Sequence, residues 1–138
     1  LSAKSPELVL DIAGGVPARA MEIIDEDYLS LRARIAETLP LIMCNRVSPV
    51  YVAGNFSEDD PAMVLDIMYH LIADSLCRSL SGNSFRNHDL GNQLEKLVLK
   101  VDVDLRFDFL NRLCRAREIL SGQSNANIQM LFEWLLHT

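Results

Sequence analysis

From Pro61 to Gly82 the chain carries an apolar row that suits one kind of element. Val64, Ile67, Met68, Leu71, Ile72 and Leu76 recur every three or four residues, and Leu80 continues the row. At 3.6 residues per turn they gather into one stripe, whereas in a strand they would scatter over both faces. Ser57-Glu-Asp-Asp-Pro61 supplies the start, because acidic and hydroxyl side chains cap free N–H groups and proline at the first helical position sacrifices no hydrogen bond. The pair Asp59 and Asp60 could bind a hard cation, but its place at a helix start is explained by the helix dipole alone. Gly82 closes the segment. It is the longest helix the sequence predicts.

The remaining segments repeat the period. Ser5-Pro6 opens a short helix with Leu8, Val9 and Ile12 on its face; Gly14-Gly15 ends it, and Pro17 starts another through Ile24. Asp25, Glu26 and Asp27 favour the N-terminus of a third, with Tyr28, Leu31, Ile35, Leu39 and Ile42 inside and Pro40 expected to kink or end it. Val50-Tyr51-Val52 has β propensity, yet Ser48-Pro49 signals a helix start and a lone strand would lack a partner, so a short helix is expected. Ser81 to Gly91 reads as a loop, and helix resumes with Leu94, Leu97, Val98 and Val101. Asp102 or Asp104 caps the next helix, with Leu105, Phe109, Leu110, Leu113 and Leu120 inside and Arg106, Arg112, Arg115 and Glu118 outside. After a break at Gly122, where Asn125 can cap, Ile128, Leu131, Phe132, Leu135 and Leu136 form a last face. Met130 and Trp134 lie four apart and off that stripe. The sum is an all-α bundle of about seven helices, without a fixed repeat.

Composition narrows the function. A net charge of −6, with the acidic surplus in the first sixty residues, argues against wrapping nucleic acid. No apolar run approaches the ~18 residues of a membrane span and no signal peptide opens the chain, so a cytoplasmic protein with no membrane partner is expected. Its start at Leu1 rather than Met reads as a fragment or a processed chain. Three widely spaced cysteines, Cys44, Cys77 and Cys114, read as buried reduced thiols. His70, Asp74 and Cys77 share a helix face but lack the paired short-spaced ligands of a zinc site, and His88 and His137 read as solvated. No nucleophile elbow and no phosphate-binding loop occur, so no cofactor, metal or catalytic residue is assigned.

Two stretches carry a family resemblance. Arg115, Arg117, Asn125, Asn127, Gln129, Leu131, Glu133, Leu135 and Leu136 follow an Arg-rich helix, Asn-x-Asn, leucine-rich helix pattern. It resembles the C-terminus of the delta-prime subunit of the bacterial DNA polymerase III clamp loader. Ala13-Gly14-Gly15-Val16-Pro17-Ala18-Arg19-Ala20-Met21 is similar to the Gly-x-Pro-x-x-Ala-Leu turn opening the last helix of the clamp-loader lid domain, although Val16 and Ala18 depart from it. Met130, Phe132 and Trp134 stand where leucines are common in that family.

The resemblance implies that residues 1–24 are the end of a lid domain and 25–138 a helical collar domain for oligomerisation. Such a domain is non-catalytic: it assembles with other clamp-loader subunits in a hetero-oligomeric ring that places the sliding clamp on primed DNA during replication, touches DNA only indirectly, and leaves nucleotidyltransferase activity to another subunit. Arg115, Arg117, Asn125, Asn127, Met130 and Trp134 are the implied subunit-interface residues, and Gly15, Pro17 and Arg19 the lid-helix motif. The corresponding arginine faces nucleotide in ATP-binding relatives; here Arg19 reads as a surface or interdomain contact. The basic helix itself, with Arg106, Arg112, Arg115 and Arg117, reads first as a solvated face with i,i+4 pairs, with subunit contact as the leading alternative. A free-standing helical adaptor that takes a partner peptide in a groove is the alternative. A small all-α hydrolase would need a site the sequence does not display.

Because the apolar faces are 3.6-periodic throughout, the chain is expected to give a helical far-UV circular dichroism spectrum and a single cooperative melt. A strand-dominated spectrum, or a broad non-cooperative melt, would contradict the assignment.

Overall fold

A computed structural model of the chain describes residues 26–122 and 127–136. Among these residues six α-helices and one 3-10 turn follow one another without a strand: α1 (Glu26–Met43), α2 (Pro49–Asn55), α3 (Pro61–Ser81), the turn His88–Leu90, α4 (Gly91–Lys100), α5 (Val103–Gly122) and α6 (Ile128–Leu136). The all-α bundle read from periodicity is therefore what forms. The two short helices expected before Asp25 lie outside the described residues.

Helix α3 is the hub. Its stripe of Val64, Ile67, Met68, Leu71, Ile72 and Leu76 is buried, and α1, α4 and α5 pack around it. The Asp60 side chain caps it by accepting from the Ala62 N–H at 3.1 Å, and Gly82 closes it at φ 74°, a left-handed conformation that costs glycine little. The chain then returns along the same helix. Arg106 of α5 meets Ser79 of α3, and Arg117 meets Asp66, so the two helices run antiparallel.

Pro40 does not end α1. The helix runs to Met43 with Pro40 buried in its last turn, where a single missing N–H is the main loss. The stop comes at Asn45, which adopts φ 56° while the Asn45 N–H donates to Ile42 O at 3.0 Å and the Arg46 N–H to Leu41 O at 2.8 Å. These paired bonds are a Schellman closure with asparagine in glycine's usual place. Tertiary packing also decides α2. Val52 and Ala53 are buried, and the helix lies against α6, which overrides the β propensity of Val50-Tyr51-Val52.

The face of α5 is rotated from the expected one. Leu105 is 53% exposed, whereas Arg106 is only 1% exposed and heads the buried row Arg106, Phe109, Leu113, Ala116. The guanidinium explains the rotation. Nη1 donates to Ser75 O at 2.9 Å and Ser75 Oγ at 3.1 Å, Nη2 to Ser79 Oγ at 2.7 Å, and Nε to Val101 O at 3.2 Å. Arg106 thus ties the end of α4 to α3 through donors that a leucine could not supply. Burial lowers its pKa from the ordinary arginine value, and Asp102 acts in the opposite sense.

A second buried network fastens the loop after α3. The Asp74 carboxylate accepts from the Arg86 N–H at 3.0 Å, the Asn87 N–H at 2.9 Å and Asn87 Nδ2 at 2.8 Å. Arg32 of α1 in turn donates from Nη2 to Asn87 Oδ1 at 2.8 Å and bridges both Asp89 oxygens at 3.2 and 3.1 Å. The loop is thus held by α3, which it follows, and by α1.

Replacing Arg106 with methionine keeps the bulk and strands the acceptors of Ser75 and Val101. The expected loss is about 3 kcal/mol of unfolding free energy in urea titration. Arg106→Lys should recover little of it, because a single ammonium cannot reproduce the planar fork. A variant as stable as the parent would show that the network contributes nothing.

Candidate interaction surface

Helix α6 presents two unlike sides. Asn127 caps it, its Oδ1 accepting from the Met130 N–H at 3.1 Å, and Leu131, Phe132, Leu135 and Leu136 face the core. Met130 and Trp134 point away, 67% and 43% exposed. The observed cap is therefore Asn127, while Asn125, the expected one, lies outside the described residues. Gly15, Pro17 and Arg19 lie outside them too.

The partner helix adds to the apolar area. α2 packs on α6 through the side that buries Val52 and Ala53, and its Val50 and Tyr51 are 56% and 66% exposed. Two adjoining helices thus each carry large apolar side chains in water, which is costly without a covering neighbour. Sequence reasoning missed Val50 and Tyr51, since their helix was legible but its outward side was not.

The arginines of α5 divide. Arg112 sits over the Phe109 ring at 5.6 Å, donates from Nη1 to Leu135 O at 3.1 Å and holds Asp108 at 3.5 Å, so it links α5 to the end of α6. Arg117 lies over the Tyr69 ring at 4.9 Å and 3.5 Å from Asp66, which also meets His70 at 3.4 Å. It is engaged with α3. Arg115 is exposed. The structure therefore places Asn127, Met130 and Trp134 on α6 or at its start, and separates them in role from Arg117.

Other expected residues resolve physically. Asp74 is buried and turned to the loop N–H groups, Cys77 is exposed, and His70 faces Asp66, so the three have separate surroundings. No group of three or more His, Cys, Asp or Glu suited to a metal occurs among the described residues. The expectation of buried thiols fails. Cys77 and Cys114 are exposed because they lie beside the apolar stripes of α3 and α5, and Cys44, just past the end of α1, is half-buried against the core.

The fold and these surfaces define a helical module whose distinguishing features are outward apolar side chains. The family model for the C-terminal part of the DNA polymerase III delta subunit matches residues 26–138, and the chain belongs to that family. The match is to the delta subunit, where the sequence resemblance named delta-prime; it supports the clamp-loader assignment and corrects that finer one. No curated protein and no solved structure matches the chain. No helix of the described residues is long and apolar enough to cross a membrane.

Cys77 and Cys114 are expected to react with a disulfide reagent in the folded chain well before Cys44 does. Peptide mapping after a short exposure checks the order, and slow reaction of all three would place them under cover.

Proposed function

We propose that this chain is a non-catalytic assembly domain of a clamp-loader subunit, joining other subunits in a hetero-oligomeric ring that loads the sliding clamp during bacterial DNA replication in the cytoplasm. The reading rests on family membership and on one structural observation. Met130 and Trp134 stand together on α6, large and apolar, with the opposite side of the helix already committed to the core. Trp is among the residues most enriched in interface anchors. In this reading residues 25–138 form the collar-type domain and residues 1–24 belong to the preceding lid, with Gly15, Pro17 and Arg19 as its helix motif.

Asn127 has a positioning role, since its cap fixes the first turn from which Met130 projects. Arg115 is exposed on α5 and free of the contacts that hold Arg117 within the domain through Tyr69 and Asp66.

Replacing Trp134 with alanine should weaken assembly with the partner clamp-loader subunits by more than ~2 kcal/mol if it anchors the interface. The isolated domain should keep its helical spectrum and melt. Size-exclusion chromatography of the reconstituted complex checks the first point and circular dichroism the second. Normal assembly of the variant would place the interface elsewhere.

A further inference from the structure

The end of α1 and the outer side of α4 enclose a groove of about 350 Å³. Leu41, 45% exposed, and Pro40 supply its apolar part, and Lys96, Lys100 and Arg46 surround it with Glu37 as the one acid. Lys96 and Lys100 are four apart and so share one side of α4. Among the described residues none of these three cations has a hydrogen bond or ion pair from its side chain to a carboxylate. By contrast Arg32, Arg34, Arg112 and Arg117, half of the other described arginines, each pair with a carboxylate.

We infer that this groove docks an acidic segment of a partner protein, with carboxylates on Lys96, Lys100 and Arg46 and one apolar side chain over Leu41. Charge complementarity names the occupant. A carboxylate bound to lysine or arginine makes a charge-assisted hydrogen bond, and an unpaired cation has no internal competitor to displace. An apolar side chain that covers Leu41 removes its exposed surface from water. Nucleic acid fits less well. Glu37 and the overall charge disfavour phosphates and carboxylates alike, so the exposed apolar Leu41 decides: it gives an apolar side chain of a peptide a partner and offers nothing to a sugar–phosphate backbone. The groove is built from α1, the turn after it and α4, none of which carries Met130 or Trp134, so the inference does not depend on the assembly reading.

The probe is a fluorescein-labelled synthetic peptide of glutamates flanking a single leucine, titrated with the whole chain and followed by anisotropy. Saturable binding that weakens as salt rises is expected. Lys96→Glu with Lys100→Glu should bind at least about tenfold more weakly. Leu41→Ser should weaken the leucine peptide while leaving an all-glutamate peptide unchanged. Both lysines are exposed, so the fold should survive, and circular dichroism verifies it; Arg46→Glu carries the same test if the double variant does not fold. Absence of saturation, undiminished binding by the charge-reversed variants, or displacement of the peptide by a single-stranded oligothymidylate at lower concentration would overturn the inference, the last in favour of nucleic acid.

Discussion

The bundle depends on a buried guanidinium. Three helices must end or pass at the Arg106 site: α4 delivers the Val101 carbonyl, α3 delivers Ser75 and Ser79, and α5 delivers the arginine. Carbonyls at a helix end lack intrahelical partners, and burying them without donors is costly. Arg106 meets that need at the sharp turn between α4 and α5, where only Val101 and Asp102 separate the helices. The turn could not be so short and so buried without a long donor reaching back from the next helix. The antiparallel seating of α5 on α3, and through it the level at which Arg117 finds Tyr69 and Asp66, follows from that anchor.

Much of this architecture is legible in the sequence, and the failures have a common cause. The α3 stripe, its Asp60 and Gly82 boundaries and the short α2 helix all follow from local periodicity and caps. Arg106 was misplaced because a hydrophobicity pattern scores arginine as outside, although its neighbours three and seven residues on, Phe109 and Leu113, are core. Arg32 shows the same trap: it lies four and seven residues before Ala36 and Leu39 on the buried side of α1. An arginine in phase with an apolar stripe is the available signal, but its partners are more than fifty residues away for Arg32 and cannot be read locally. Of the interaction surface, Met130 and Trp134 were legible from their offset from the α6 stripe. Val50 and Tyr51 were not, since a helix of this length has too few residues to fix its buried side without knowing what it packs on.

Family membership and physical reading meet at the level of a replication clamp-loader domain. The proposed assembly role needs rigid helices and surfaces left for neighbours. The two buried polar networks supply rigidity by fastening loops and helix ends to α3, which leaves outward apolar side chains on α2 and α6 without using them for the fold. Arg112 connects the two tasks. It reaches from α5 to the Leu135 carbonyl at the far end of α6, so the helix bearing Trp134 is fixed by its Asn127 cap at one end and by an arginine at the other.

The pairing of α2 with α6 also bears on how the chain folds. Helices α4 and α5 each pack on α3, and Arg106 meets Ser75 and Ser79 at sequence separations of 31 and 27. By contrast, α2 meets α6 only after the whole of α3, α4 and α5 has intervened. Loop-closure entropy rises with that separation, and contacts of long sequence range are made at the greatest entropic cost. The order that follows has a central hairpin of α3 and α5 acting as template and the α2–α6 pair joining late. During synthesis on the ribosome, α2 would therefore wait with Val52 and Ala53 uncovered until α6 emerges.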